Sequence, residues 1–251
     1  MSEARTSMIP SFDGTELAVH RLGAGRPVLL LHGLFSSAYM NWIDFGHAAA
    51  LVDAGFEAVM PDSRAHGESA RPHNVGAYPH DVLVRDVQAL VDALGLDDFD
   101  LVGFSLGART AARAVLEGVA PRRLVLAGMG LEGLSGWERR GAFFIDAIDR
   151  FDSIRAGDPA FMAKGFMTRM RTDRVAARLL LGSIGNIDRA ELAGISMPTM
   201  VLCGRKDRDN GSPQALTSAL PHARHVEIPG THMSSVTEGA LGDALVEFLD
   251  G

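Results

Sequence analysis

Leu101-Val102-Gly103-Phe104-Ser105-Leu106-Gly107-Ala108 is the stretch that decides the reading of this chain. An apolar strand candidate, Phe99 to Phe104, runs into a Gly-x-Ser-x-Gly string, and an Ala-rich, helix-prone stretch, Ala108 to Leu116, follows it. With 28 glycines in the chain the string alone is weak evidence. Its position between a strand and a helix is what gives it weight, because that is the setting the motif requires. A serine on so sharp a turn projects its hydroxyl above the sheet. Side chains two residues before and after it would collide across the turn, which accounts for Gly103 and Gly107, and the small Ala108 lets helix approach strand. Ser105 is therefore the candidate nucleophile. The competing reading is a Gly-rich strand end with a capping serine.

Outward from this point, strands and helices alternate. Val28 to Leu31, Ala58 to Met60, Leu101 to Phe104, Leu124 to Ala127 and Met200 to Cys203 are short Val/Leu-rich runs bounded by Gly, Pro or Asp. Such runs suit strands buried on both faces of a mostly parallel sheet. Val82 to Leu94, closed by Gly95, and Leu241 to Leu249 have helical apolar spacing. Asp13-Gly14, between two short extended runs, predicts an antiparallel hairpin at one sheet edge. From about Leu131 to Ser196 no strand is legible. That segment is helical in character and dense in Phe and Met, among them Phe143, Phe144, Phe161, Met162 and Phe166, and it reads as a lid inserted between two strands.

The bulk numbers fit a globular chain. It has 251 residues, is 47% hydrophobic and 22% charged, and carries a net charge of −7. That composition supports a sizeable core and argues against a nucleic-acid surface. Arg169, Arg171, Arg174 and Arg178 read as a solvated helix face rather than a phosphate track. The single cysteine, Cys203, excludes an internal disulfide framework and reads as a buried strand residue. Met1 to Arg5 is polar with no apolar run behind it, and no stretch is long enough to span a bilayer. The expectation is a cytoplasmic protein with no membrane partner.

A serine hydroxyl needs a base, and the base needs a third group to orient it. In strand–elbow–helix hydrolases the chain order is Ser, then Asp or Glu, then His. His232, in Gly230-Thr231-His232-Met233, follows the extended run Arg224 to Ile228 and precedes the last helix. His222 and His225 fall in a turn and inside that run, so both read as structural. Beyond the strand Met200 to Cys203 lies Gly204-Arg205-Lys206-Asp207-Arg208-Asp209, where Asp207 and Asp209 both qualify as the acid. The other aspartate would pair with Arg205, Lys206 or Arg208. An oxyanion hole needs two aimed backbone N–H groups. Leu106, after the nucleophile, supplies one. Leu34, in the loop after Leu29-Leu30-Leu31-His32-Gly33, is the candidate for the other. His32 reads as a loop-shaping residue bonded to backbone.

Together, His32-Gly33, Asp62-Ser63-Arg64-Ala65-His66-Gly67-Glu68-Ser69, the Ser105 elbow, Gly204-x-x-Asp207 and Gly230-x-His232 resemble the α/β-hydrolase superfamily. The likeness is to its small bacterial esterases, enol-lactonases and cofactor-free haloperoxidase-like members. It implies an α/β fold: a mostly parallel, doubly wound eight-stranded sheet with a short helical cap insertion. On that pattern residues 1–130 and 197–251 form the core and 131–196 the cap. The resemblance also implies that Asp207 rather than Asp209 is the triad acid. Ala65 departs from the glycine usual in the Asp-x-Arg-Gly-His-Gly-x-Ser loop, which is structural in the family. Asn210-Gly211-Ser212-Pro213 blurs the usual pattern after the acid. Family members that act as dehalogenases or epoxide hydrolases carry aspartate at the elbow, and Ser105 argues against both.

The chemistry expected is two-step acyl transfer on an ester or lactone, with no metal or organic cofactor. No Cys/His ligand cluster and no Walker-type loop is present. The partner is a small-molecule ester or lactone; the oligomeric state is left open. An apolar site is expected, with Phe35, Tyr39, Trp42, Met129 and Trp137 as candidate substrate contacts; Arg109 is open to two readings, a substrate contact or, preferred, a helix-surface residue. Two alternatives stay open: a C–C bond hydrolase or perhydrolase-like enzyme, and a slow-turnover ligand receptor on the same fold.

Overall fold

The apolar runs pair into one eight-stranded sheet. The structure, a computed structural model, describes residues 4–251, so part of the polar stretch Met1 to Arg5 lies outside the described residues. The strands are β1 (Arg5–Pro10), β2 (Glu16–Gly23), β3 (Arg26–Leu31), β4 (Phe56–Pro61), β5 (Asp100–Phe104), β6 (Leu124–Ala127), β7 (Thr199–Gly204) and β8 (Ala223–Ile228). Their order is β1-β2-β4-β3-β5-β6-β7-β8, with β2 antiparallel to both neighbours and every other pairing parallel. The Asp13-Gly14 turn joins β1 to β2 at the edge, as its chemistry predicts. The helices are α1 (His47–Asp53), α2 (Val82–Leu94), α3 (Leu106–Leu116), α4 (Leu131–Ser135), α5 (Trp137–Asp149), α6 (Phe161–Arg169), α7 (Arg174–Ser183), α8 (Pro213–Ala219), α9 (His232–Ser235) and α10 (Gly239–Asp250). None among the described residues is long and apolar enough to cross a membrane.

Strand side chains alternate between two cores, the consequence of a period of two in a sheet covered on both faces. Leu29, Leu31, Leu101, Leu124, Leu126 and Val201 pack with residues of α2, α3 and α8. Val28, Leu30, Val102, Val125, Met200 and Leu202 pack with α1 and α10. Cys203 is a buried strand residue, and burial pushes its thiol up to about 12.

Between β6 and β7 the chain holds α4 to α7 and short helical turns, with no strand. A third apolar cluster joins this segment to the loops above the sheet. In it Phe35, Ala65 and Leu106 pack with Trp137, Ala147, Ile148, Met167 and Leu180. The arginines read as one helix face fall on two helices and the turn between them. Arg178 pairs with Asp149 and Arg174 with Asp152, while Arg171 adopts φ 50°.

α2 carries a polar residue inward. Asp86 is buried and, with Asp13, clamps the fully buried Arg64. The Arg64 loop is the one in which Ala65 replaces the usual glycine, and Ala65 sits at φ 68°. The unusual residue thus occupies the backbone region that glycine serves best.

Candidate active site

β5 ends at Phe104, and the next residue turns sharply into α3. Ser105 adopts φ 54°, ψ −114°, a strained conformation for a residue with a side chain. The turn leaves no room beside it. A Cβ on Gly103 would lie 2.3 Å from the Gly107 carbonyl carbon, and one on Gly107 would lie 2.1 Å from the Leu31 carbonyl oxygen.

His232 begins α9, just past β8, where Thr231 caps the helix. Its ring packs 5.2 Å from the Phe104 ring, and a Cβ on Gly128 would lie 3.2 Å from its Cε1. Ser105 Oγ donates to His232 Nε2 at 3.0 Å, and His232 Nδ1 donates to Asp207 Oδ2 at 2.9 Å. One tautomer, with the proton on Nδ1, satisfies both bonds. All three side chains are buried, with Ser105 8% exposed. Burial works to raise the Asp207 pKa. The His232 hydrogen bond and charge, the Asp209 N–H and Arg140 outweigh it and hold this carboxyl below its ordinary value.

Asp209 plays a different part from Asp207. It is exposed, its N–H donates to Asp207 Oδ1 at 3.0 Å, and its carbonyl accepts from Arg140 Nη1 at 2.6 Å. The pairing expected between the spare aspartate and its neighbours does not form. Arg208 bonds carbonyl oxygens of its own loop, and Arg205 faces Glu227.

The loop after β3 lies against the elbow, since a Cβ on Gly33 would sit 3.5 Å from Ser105 Cβ. Among the described residues the N–H groups of Leu34 and Leu106 have no protein acceptor; Leu106 opens α3, where the first turn lacks intrahelical acceptors, whereas both neighbours of Leu34 are bonded. Gly33 N–H donates to Asn41, and Phe35 N–H donates to His66 Nε2 at 2.9 Å, with Phe35 at φ 59°. His66 Nδ1 in turn donates to the Arg64 carbonyl, so this neutral ring is fixed in one tautomer. Burial pushes its pKa down to about 3. His32 donates to the Gly33 carbonyl and accepts from Ser63 N–H, the loop-shaping role expected of it.

The expected substrate contacts are dispersed. Phe35 packs edge-on against Phe144 of α5, 5.6 Å between ring centroids. Trp42 has 0% accessible surface, so it lines no cavity and belongs to the core beneath the sheet. Met129, 2% exposed, also turns into the core. Tyr39 stands 58% exposed at the surface rather than beneath the helical segment. Trp137 is stacked on Arg109, whose guanidinium carbon lies 5.6 Å from its ring. Arg109 is not a helix-surface residue: it is 1% exposed and donates to the Gly185 carbonyl beyond α7. Sequence reasoning missed Asn41 and Arg140, because each acts through a neighbour in space and carries no motif of its own; His66 lies in the Asp62–Ser69 motif, but its bond to Phe35 N–H is visible only in the structure. Among the described residues no group of His, Cys, Asp and Glu is arranged to hold a metal ion.

Comparison with known proteins agrees with this architecture. A family model described as the alpha/beta hydrolase fold matches residues 26–137. The AB hydrolase superfamily protein YisY of Bacillus subtilis is 29% identical over 214 residues, spanning 76% of this chain and 78% of its own. Epoxide hydrolase A of Mycobacterium tuberculosis is 31% identical over 212 residues, 76% of this chain and 65% of that protein. Among solved structures, a hydrolase from Pseudomonas aeruginosa superposes with a TM-score of 0.75 at 25% identity, covering 98% of this chain and 99% of that one. The enol-lactonase of Burkholderia xenovorans gives 0.75 at 23%, covering 98% and 100%.

Proposed function

Because this chain belongs to the α/β-hydrolase superfamily, we propose that it is a serine hydrolase cleaving carboxylic esters or lactones through an acyl-enzyme. The observation that carries this reading is the unbroken relay from Ser105 Oγ to His232 to Asp207. As the Ser105 oxygen attacks the carbonyl carbon, its proton passes to His232 Nε2. Asp207 stabilises the imidazolium and keeps the ring oriented. The tetrahedral oxyanion falls between the Leu34 and Leu106 N–H groups, neither of which has a protein acceptor among the described residues. His232 then protonates the leaving oxygen, and water activated by the same ring releases the acyl group. The residues 131–196 act as a cap over this site, on a core built from 1–130 and 197–251.

Serine at the elbow favours acyl chemistry over the reaction of the epoxide hydrolases that this chain resembles in sequence. The test is turnover of a panel of p-nitrophenyl esters and lactones. The wild type is expected to hydrolyse at least one, Asp207→Asn to lose about four orders of magnitude in kcat, and Ser105→Ala at least as much. Activity that survives Ser105→Ala unchanged would place the chemistry elsewhere.

A further inference from the structure

We propose that the Arg140 guanidinium anchors a free carboxylate on the substrate, so that the preferred esters or lactones carry an anionic group remote from the scissile bond. This rests on the serine hydrolase reading and specifies its substrate class.

The placement follows from strand order. One face of α5 carries Arg140 and Phe144, about 6 Å apart along the helix axis. Phe144 packs on Phe35, in the loop that follows β3. Arg140 bonds the Asp209 carbonyl, in the loop that follows β7. Between β3 and β7 lie β5 and β6, and Ser105 directly follows the end of β5. A helix face that touches both outer loops therefore spans the strand ends between them, above the Ser105–His232 pair.

Arg140 is the cation on that face, and it is only partly committed. It is half-buried, and its guanidinium carbon lies 5.4 Å from the Phe144 ring centroid. Its protein hydrogen bond is to a neutral carbonyl through Nη1 alone. Among the described residues it makes no salt bridge. Of the two acids on the adjacent loop, Asp207 is already bonded to His232, and the Asp209 carboxylate is exposed. By contrast Arg150 and Arg178, farther along the helical segment, each hold an aspartate. A guanidinium with unused donors beside an aromatic ring is suited to bidentate capture of a carboxylate whose chain lies on that ring. In a chain of net charge −7, such a cation offsets the repulsion that an anionic substrate would otherwise meet.

The β7 and β5 ends are about 10 Å apart, two strand spacings. That distance fits a linear diacid monoester of moderate length. The experiment compares mono-p-nitrophenyl adipate and suberate with their methyl esters, which keep the chain and remove the charge. Proteins tested are the wild type, Arg140→Gln and Arg140→Lys, each with its melting temperature recorded. The expected result is a lower KM for the free acids in the wild type. Arg140→Gln should raise the ratio of free-acid KM to methyl-ester KM roughly 10- to 100-fold, with Arg140→Lys in between; any change in turnover that arises through the Asp207 loop falls on both substrates alike and leaves that ratio unmoved. Equal wild-type constants for acid and methyl ester would overturn the proposal. So would a loss in Arg140→Gln that leaves the ratio of free-acid KM to methyl-ester KM unchanged, which would mark Arg140 solely as a latch between helix and loop. Either result leaves the serine hydrolase reading standing. Failure of the wild type to hydrolyse even the methyl esters and the simple esters would remove both.

Discussion

Ser105 holds a backbone conformation that its side chain resists, at φ 54°, ψ −114°. Strain of this kind costs about 1–3 kcal/mol and persists where the surroundings dictate it. Here the Ser105 N–H donates to the Ala127 carbonyl and the Ser105 carbonyl accepts from Arg109 N–H, so the turn is fixed from both sides. The hydroxyl proposed as nucleophile is thus held at some expense of stability. Two inactive variants separate the terms. Ser105→Ala keeps a Cβ and the strain, whereas Ser105→Gly relieves it and loses some unfolded-state restriction. Ser105→Gly is therefore expected to melt about 2–4 °C above Ser105→Ala, corresponding to ~1 kcal/mol. Equal melting temperatures would mean that the turn stores little strain. The Leu34 amide depends on a neighbour in a comparable way. His66 accepts the adjoining Phe35 N–H and so fixes the loop that leaves Leu34 N–H unpaired.

At the scale of elements, the elbow works because β3, β5 and α3 approach more closely than side chains allow. Gly107 faces the Leu31 and His32 carbonyl oxygens, both backbone atoms of β3 and the loop beyond it. Gly107→Ala must push α3 off the sheet. The expected loss is roughly 1–3 kcal/mol of stability, with a larger fall in activity because Leu106 N–H moves with the helix. Thermal melts and ester turnover on the same preparation check both parts; an unperturbed melt would contradict the packing. These elements were legible in the sequence because they obey local rules. The apolar runs are short and bounded, Asp13-Gly14 makes a turn, and Gly103 and Gly107 flank the serine at the only spacing the bend permits. What was not legible came from pairings distant in sequence. Arg109 sits on a helix like a surface residue, yet α3 carries it beneath the helical segment, where Gly185 and Trp137 cover it. Trp42 and Met129 lie near the active edge by sequence but point into the two cores. Tyr39 stays outside because the helical segment covers Phe35 and not the turn that follows.

Across the whole molecule, buried histidines tie stability to pH. His66 is held down to about 3 by burial, and His32 and His47 are lowered by the same cause. The unfolded chain protonates these rings near the ordinary value of 6.5, while the folded protein leaves them neutral. Unfolding therefore takes up protons as pH falls below about 6.5, and each such ring costs stability as pH falls from there toward its lowered folded value. For His66 the loss continues to about pH 3, where the folded ring also protonates. His20 has the opposite sign. Its hydrogen bond to Asp62 raises its pKa, so its contribution is full below 6.5 and disappears as pH rises through that raised value. Burial works against the Asp62 charge, but its hydrogen bonds from His20 and from backbone N–H groups hold its pKa down to about 2, so its carboxylate stays charged through the same window. The melting temperature is expected to fall steadily from pH 6.5 to pH 4, and to fall less steeply in His66→Gln. A flat profile over that range would contradict neutral burial of these rings.

The chemistry proposed for this chain rests on a hydroxyl at residue 105 made reactive by the ring of residue 232. The most direct measurement is intact-mass and peptide-mapping spectrometry after exposure to a fluorophosphonate. One phosphonyl adduct per chain is expected, mapped to Ser105, absent from Ser105→Ala and strongly slowed in His232→Ala. An unmodified wild type, or an adduct on another residue, would contradict the assignment.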